Sequence, residues 1–190
     1  MAVPRTKQLE NFEHALYWVS GRRSAIDVGA HDGEYSRVLA REFAHVTAFE
    51  PQKDLFAKIP QLANLKALNA AAGSEVNVGM LKQDTDNPRG AYVVQKLGGS
   101  VEMLPIDDLG LLDVDLIKID VEGFEIDVLL GARHTISACK PALIIEWDKT
   151  TFRRRRKHRD YYRMVDFLAK RRYQLVLDFP PDRLLIRRPK

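Results

Sequence analysis

The chain has 190 residues and a single cysteine, Cys139. One cysteine excludes an intramolecular disulfide framework and any cysteine-based zinc cluster. No apolar run approaches the ~20 residues of a membrane span. The leading MAVPRTKQLENFEHALYW lacks the continuous apolar stretch of a signal peptide. The expectation is therefore a cytoplasmic protein with no membrane span. Internal repeats and low-complexity linkers are also missing. With 45% hydrophobic and 29% charged residues, the composition is that of a folded chain. The length fits one domain with one sizeable core.

Charge is unevenly spread. The formal net charge of +4 conceals −6 over residues 1–139 and +10 over residues 140–190. Much of the excess sits in Arg153, Arg154, Arg155, Arg156, Lys157, His158 and Arg159. Such a run can attract a polyanion, whether nucleic acid, a phosphorylated glycan or a membrane surface. It is equally compatible with a solvated loop leading into a helix.

The apolar pattern alternates strands with helices. Leu9, Phe12, Leu16 and Val19 stand at helical spacing and predict a leading helix within residues 6–20. SAIDV at 24–28 reads as a strand, 34–43 as a helix, HVTAFE at 45–50 as a strand stopped by Pro51, and 53–59 as a helix. A third strand is expected at 65–70. This rhythm argues for a parallel sheet covered on both faces. Residues 76–81 and 91–95 then predict a hairpin across a turn-rich connection, with a short strand at 101–104. DLIKID at 115–120, a helix over 123–132 and ALIIEW at 142–147 restore the parallel pattern. A helix at 159–171 precedes strands at 173–178 and 183–188. Pro180-Pro181-Asp182 between these is too short for a crossover, so they should form an antiparallel hairpin. The expected parts are a leading helix at 1–21, a core at 22–148 with a hairpin insertion at 76–100, and a basic C-terminal helix and hairpin at 149–190.

Three stretches carry chemistry. In IDVGAHDG an acid, Asp27, ends the first strand. Gly29 permits a tight turn and Gly33 lets the next helix pack closely, so that amides around Ala30 and His31 can receive an anionic ligand group. The spacing D-x-G-x-x-x-G does not meet the dinucleotide fingerprint, and Asp27 suits a ligand carrying an ammonium group. Glu50 ends the second strand 23 residues later, where a carboxylate can accept both hydroxyls of a ribose. In LIKIDVEGFE, Asp120 and Glu122 stand at a carboxyl end where ligands bind in such sheets, and Glu146 ends the next strand. Strand-end carboxylates at Asp27, Glu50, Asp120 and Glu146 together read as a site. Asp120, Glu122 and Glu146 are hard oxygen ligands that would suit Mg²⁺ or Ca²⁺, but no metal is expected.

AIDVGAHDGEYS, VTAFEP, LPIDDL, DLIKIDVEGFEIDVLLGA and PALIIEW together closely resemble the FkbM family of S-adenosylmethionine (SAM)-dependent methyltransferases, over about residues 22–148. The resemblance implies a Rossmann-like α/β class I fold, with a seven-stranded, mostly parallel sheet and SAM as methyl donor. It also implies O-methylation, often of a sugar or natural-product hydroxyl. Asp27, Gly29, Ala30, His31 and Gly33 fall on its SAM loop, Glu50 and Pro51 on its ribose acid, and Asn69, Ala70 and Ala71 near adenine. Family members commonly carry Asn where this chain has His31. As general base Asp120 comes first, with Glu122 and Glu146 next. Arg153–Arg156 and Tyr161 are the expected acceptor contacts, holding a phosphate and stacking a base or sugar. A ribose-hydroxyl RNA methyltransferase is the alternative enzyme. A module that binds adenosine or nucleic acid without catalysis is the alternative of another class.

Overall fold

The computed structural model describes residues 6–83, 91–95, 99–147 and 158–188. The chain starts with α1 (Lys7–Leu16), capped where the Thr6 hydroxyl accepts from the Leu9 amide at 3.2 Å. It continues through β1 (Ser24–Val28), α2 (Glu34–Glu42), β2 (His45–Phe49), α3 (Lys53–Phe56) and β3 (Leu65–Leu68). Then come β4 (Ala71–Ala72), β5 (Asn77–Gln83), β6 (Ala91–Gln95) and β7 (Val101–Leu104). The last part holds β8 (Val114–Ile119), α4 (Glu125–Gly131), α5 (Arg133–Cys139), β9 (Ala142–Glu146), α6 (His158–Lys170), β10 (Tyr173–Phe179) and β11 (Asp182–Arg187).

Seven strands form the main sheet in the order β10-β11-β9-β8-β1-β2-β3. β9, β8, β1, β2 and β3 run parallel, whereas β11 is antiparallel to β9 and β10 antiparallel to β11. The expected hairpin is thus the sheet's far edge. From β1 the chain winds outward to β3, then returns to lay β8 against β1's other side. That reversal opens a crevice beyond the carboxyl ends of β1 and β8.

Strand alternation divides the core in two. Ala25, Leu116, Ile144 and Leu184 point to the α1–α2 side and meet Phe12, Leu16 and Leu39. Ile26, Ile117, Ile119 and Ile145 point the other way, with Leu129, Ile136 and Met164 packed in the same cluster. Phe12 is wholly buried, which stabilises the docked leading helix by roughly 1.5–3 kcal/mol.

The middle segment forms a second sheet, β4-β7-β5-β6. The expected hairpin appears as the antiparallel β5–β6 pair, with β7 on β5's other side. Several boundaries differ from expectation, among them the start of β11 at Asp182 instead of 183. β3 stops at Leu68 because the Asn69 side chain turns aside to donate to the carbonyls of Glu50 (2.9 Å) and Pro51 (3.2 Å). α3 ends at Phe56, and a turn then carries Ile59 and Pro60 against Gly33. The helix expected over 123–132 is α4, and a separate α5 follows it. α5 begins where Asp107 accepts from the amides of His134 (3.0 Å) and Thr135 (2.8 Å), capping the helix from a distant turn. Among the described residues no helix is long and apolar enough to cross a membrane.

Candidate active site

A cleft of about 360 Å³ lies at the carboxyl ends of β1, β2 and β8. Its floor is the turn after β1. Gly29 adopts φ +79°, and a Cβ there would collide with the Asp120 carbonyl oxygen, so the loops after β1 and β8 touch backbone to backbone. The Gly29 and Ala30 amides both donate to the Phe49 carbonyl at 3.0 Å, and the Gly33 amide donates to the Ala30 carbonyl at 2.8 Å. The His31 amide donates to Glu50 Oε2 at 2.8 Å. The expectation that amides of this turn receive an anionic group therefore fails for these four, which tie the turn to β2 and to itself.

Glu50 is the residue that gains from this arrangement. Its second oxygen, Oε1, accepts from the Gln52 amide at 2.8 Å. Only 4% of its surface is exposed, yet it lines the cleft. Burial pushes its carboxyl above the usual range, partly offset by the amides of Gln52 and His31. Each oxygen keeps a lone pair, because a carboxylate can accept about four bonds. Pro51 also lines the cleft, and Asn69 braces Glu50 and Pro51 from behind without lining it. Ala70 is core, whereas Ala71 and Ala72 join Phe49, Leu81 and Val93 in an apolar wall.

Asp27 does not line the cleft. It is fully buried one layer below, where Oδ2 accepts from Ser36 Oγ at 2.6 Å and Oδ1 stands 3.2 Å from Lys118 Nζ. Asp27 and Lys118 are register partners across β1 and β8, so their side chains share a face. Lys118 also approaches Asp120 Oδ2 (3.6 Å) and the Gly29 carbonyl (3.4 Å), and lies 4.6 Å from the centre of the Tyr35 ring. Burial alone would lower its pKa, but Asp27, Asp120 and Asp182 hold it above the ordinary lysine value. An ammonium-binding role for Asp27 is thus replaced by a structural one: its charge is already matched. Gly33, at φ +83°, likewise serves packing, since a Cβ would lie 2.7 Å from Pro60 Cδ.

Asp120, Glu122 and Glu146 all line the cleft. Glu122 sits at φ +56° in the turn before α4, where Glu125 Oε1 accepts from the Gly123 amide at 2.8 Å. Glu146 is driven far above the usual carboxylate range by burial, then by Asp120, Glu122, Glu125 and Asp182. Asp182 escaped the sequence reading. It pairs in register with Glu146 and is buried. Burial, followed by Asp120, pushes it up to about 6.

Tyr161 lies outside the cleft lining. Its hydroxyl accepts from Trp147 Nε1 at 3.1 Å, with the rings edge to face, which anchors α6 to the end of β9. Arg153–Arg156 fall outside the described residues. Among those described, no group of three or more His, Cys, Asp or Glu side chains is arranged to hold a metal ion.

The family model described as the methyltransferase FkbM domain matches residues 27–175. The chain belongs to the FkbM methyltransferase family. An FkbM methyltransferase structure from Methylobacillus flagellatus superposes with a TM-score of 0.61 at 22% identity. That match covers 92% of this chain but 47% of the other, so the chain spans about half the length of that FkbM relative. A Streptococcus mutans protein assigned as a methyltransferase and solved in complex with SAH gives 0.58 at 12% identity, covering 96% and 97% of the two chains. An rRNA methylase from Streptococcus thermophilus gives 0.54 at 12%, covering 96% of each. At these identities the structures share the fold. No protein of curated function matches the FkbM chain by sequence.

Proposed function

We propose that this FkbM-family chain transfers the methyl group of SAM to a hydroxyl of a sugar, glycan or related metabolite. The observation that carries the reading is Glu50: a buried carboxylate fixed by two backbone amides, with lone pairs left to accept from a ribose diol. The cleft's volume suits a ligand of nucleoside-plus-amino-acid size. Phe49, Ala71 and Ala72 would take the flat face of adenine. When bound, SAM supplies an electrophilic methyl on a positively charged sulfur, and the carboxylates around Asp120 suit that charge.

The chain's own residues then position the acceptor. Holding the hydroxyl in line with the methyl supplies a large share of the rate. In this reading Asp120, at the cleft surface with Lys118 3.6 Å behind it, accepts the hydroxyl proton. Glu146, whose carboxyl burial and the neighbouring acids push far above the usual carboxylate range, stands beside it as a neutral group.

The lining also bears on the acceptor. Asp32, Glu34, Glu50, Asp120 and Glu122 face the cleft beside the neutral Glu146, and the described lining residues include no Lys or Arg. A negative field of this kind favours a neutral or cationic acceptor over a phosphate-rich one. A methyl-transfer screen with labelled SAM against neutral sugars, amino sugars, phosphorylated sugars and RNA tests this. Label is expected in the first two classes, and preferential labelling of RNA would overturn the acceptor assignment.

A further inference from the structure

We propose that Asp182 is a positioning residue of this cleft: it shares one proton with Glu146, so that the pair carries a single negative charge and the Glu146 carboxyl is held in one orientation toward the acceptor oxygen. The identity of that oxygen rests on the methyl-transfer reading; the shared proton does not.

The geometry is set by topology. β11 runs antiparallel to β9, so it begins at the edge where β9 ends. Asp182, its first residue, stands directly opposite Glu146, its last. Side chains of directly opposed residues share a face, with Cβ atoms ~4.5–5.5 Å apart. The next strand inward, β8, leads into Asp120 on the same face. A row of three carboxyl groups therefore crosses the sheet edge, and Pro181 beside Asp182 lines the cleft with Asp120 and Glu146.

Asp182 lacks the partners a buried carboxylate needs. Its surface is 2% exposed. Gln8 of α1 reaches Oδ2 through Nε2 at 3.4 Å, and Oδ1 has no hydrogen-bond partner. An ionised oxygen buried without a partner costs several kcal/mol, and a shared proton removes that cost.

The groups facing the row come from each element packed on it. α1 offers the neutral Gln8, and α2 the Tyr35 ring. β1 contributes Asp27, β8 leads through Lys118 to Asp120, and the turn after it holds Glu122. Glu125 follows on α4 and Glu146 on β9. Lys118 is the cation of the set: it pairs with Asp27 at 3.2 Å and Asp120 at 3.6 Å and donates to the Gly29 carbonyl at 3.4 Å. Arg183 turns to the opposite side, onto Asp178 at 3.2 Å and the Trp147 ring. Neighbouring carboxyl groups that cannot both ionise keep a proton between them. The upward shift of Glu146 agrees with this, with burial first, then Asp120, Glu122, Glu125 and Asp182 contributing.

Carboxyl-¹³C NMR titration of the full chain tests the proposal without any acceptor. In the wild type the Glu146 and Asp182 signals are expected to move together in two coupled steps. In Asp182→Asn the Glu146 midpoint should fall by at least about one pH unit, and Asp182→Glu should restore it. A Glu146 midpoint unchanged in Asp182→Asn would overturn the proposal. So would independent single-step titration of the two groups in the wild type, a measurement that needs no variant to fold. SAH titrated into the same samples separates the two ideas. Failure of SAH to bind would sink the methyl-donor reading and leave the shared proton standing.

Discussion

Lys118 Nζ lies 3.2 Å from Asp27 Oδ1 across the β1–β8 pair, with the two side chains 2% and 0% exposed. This ion pair supports the floor of the cleft, because the same ammonium holds Asp120 and the Gly29 carbonyl above it. A buried pair contributes little net stability compared with apolar packing, but losing one partner strands the other charge. Lys118→Met should lower unfolding stability by about 3–5 kcal/mol, read by denaturant unfolding. A loss below about 1 kcal/mol would show that Asp27 does not depend on Lys118.

The raised carboxyl groups make stability depend on pH with a definite sign. Asp182 binds its proton up to about pH 6 in the fold but releases it near 4 when unfolded. Between those values the native state holds more protons, so stability falls as pH rises. Glu146 extends the same trend to higher pH. Asp182→Asn removes the Asp182 part. Its melting temperature relative to wild type should rise across pH 4 to 6, by the equivalent of roughly 1–3 kcal/mol. A relative fall over that interval would contradict the assignment.

Much of this architecture was legible in the sequence, for reasons that also explain what was not. Strands ending in Gly29, Pro51 and Asp120 announced a parallel sheet through period and punctuation. Pro180-Pro181-Asp182 announced the hairpin, because three residues cannot make a crossover. Strand-end carboxylates were recognisable by type and position, but not by depth. Asp27 and Asp120 look alike in sequence, yet the first ends inside β1 opposite Lys118 and the second emerges past it. The interruption of LIKI by a lysine was the signal for a buried counter-charge. Asp182 reads from the sequence as the last residue of the Pro180-Pro181-Asp182 turn, whereas in the fold it opens β11. An antiparallel strand brings its first residue to the edge where parallel strands finish. The break between α4 and α5 depends on Asp107, 28 residues before Thr135, which no local pattern reveals.

Asp120 and Glu146 should respond differently to loss of their ionisable group. Asp120→Asn keeps the shape but removes the proton acceptor, so SAH binding should persist while turnover falls roughly 10²–10⁴-fold. Glu146→Gln keeps a neutral group of the same shape and should retain turnover within about tenfold. Single-turnover methyl transfer on an acceptor found by the screen measures both. The reverse ranking would move the proton-accepting role to Glu146.

If Glu50 anchors the ribose of SAM in this cleft, calorimetric titration of SAH into wild type and Glu50→Ala shows it most directly. Loss of charge-assisted hydrogen bonds to a diol should cost roughly 1.5–3 kcal/mol, a ten- to hundredfold drop in affinity. Both proteins should show the same far-ultraviolet circular dichroism. Equal affinity in the folded Glu50→Ala variant, or no SAH binding by the wild type, would contradict that role for Glu50.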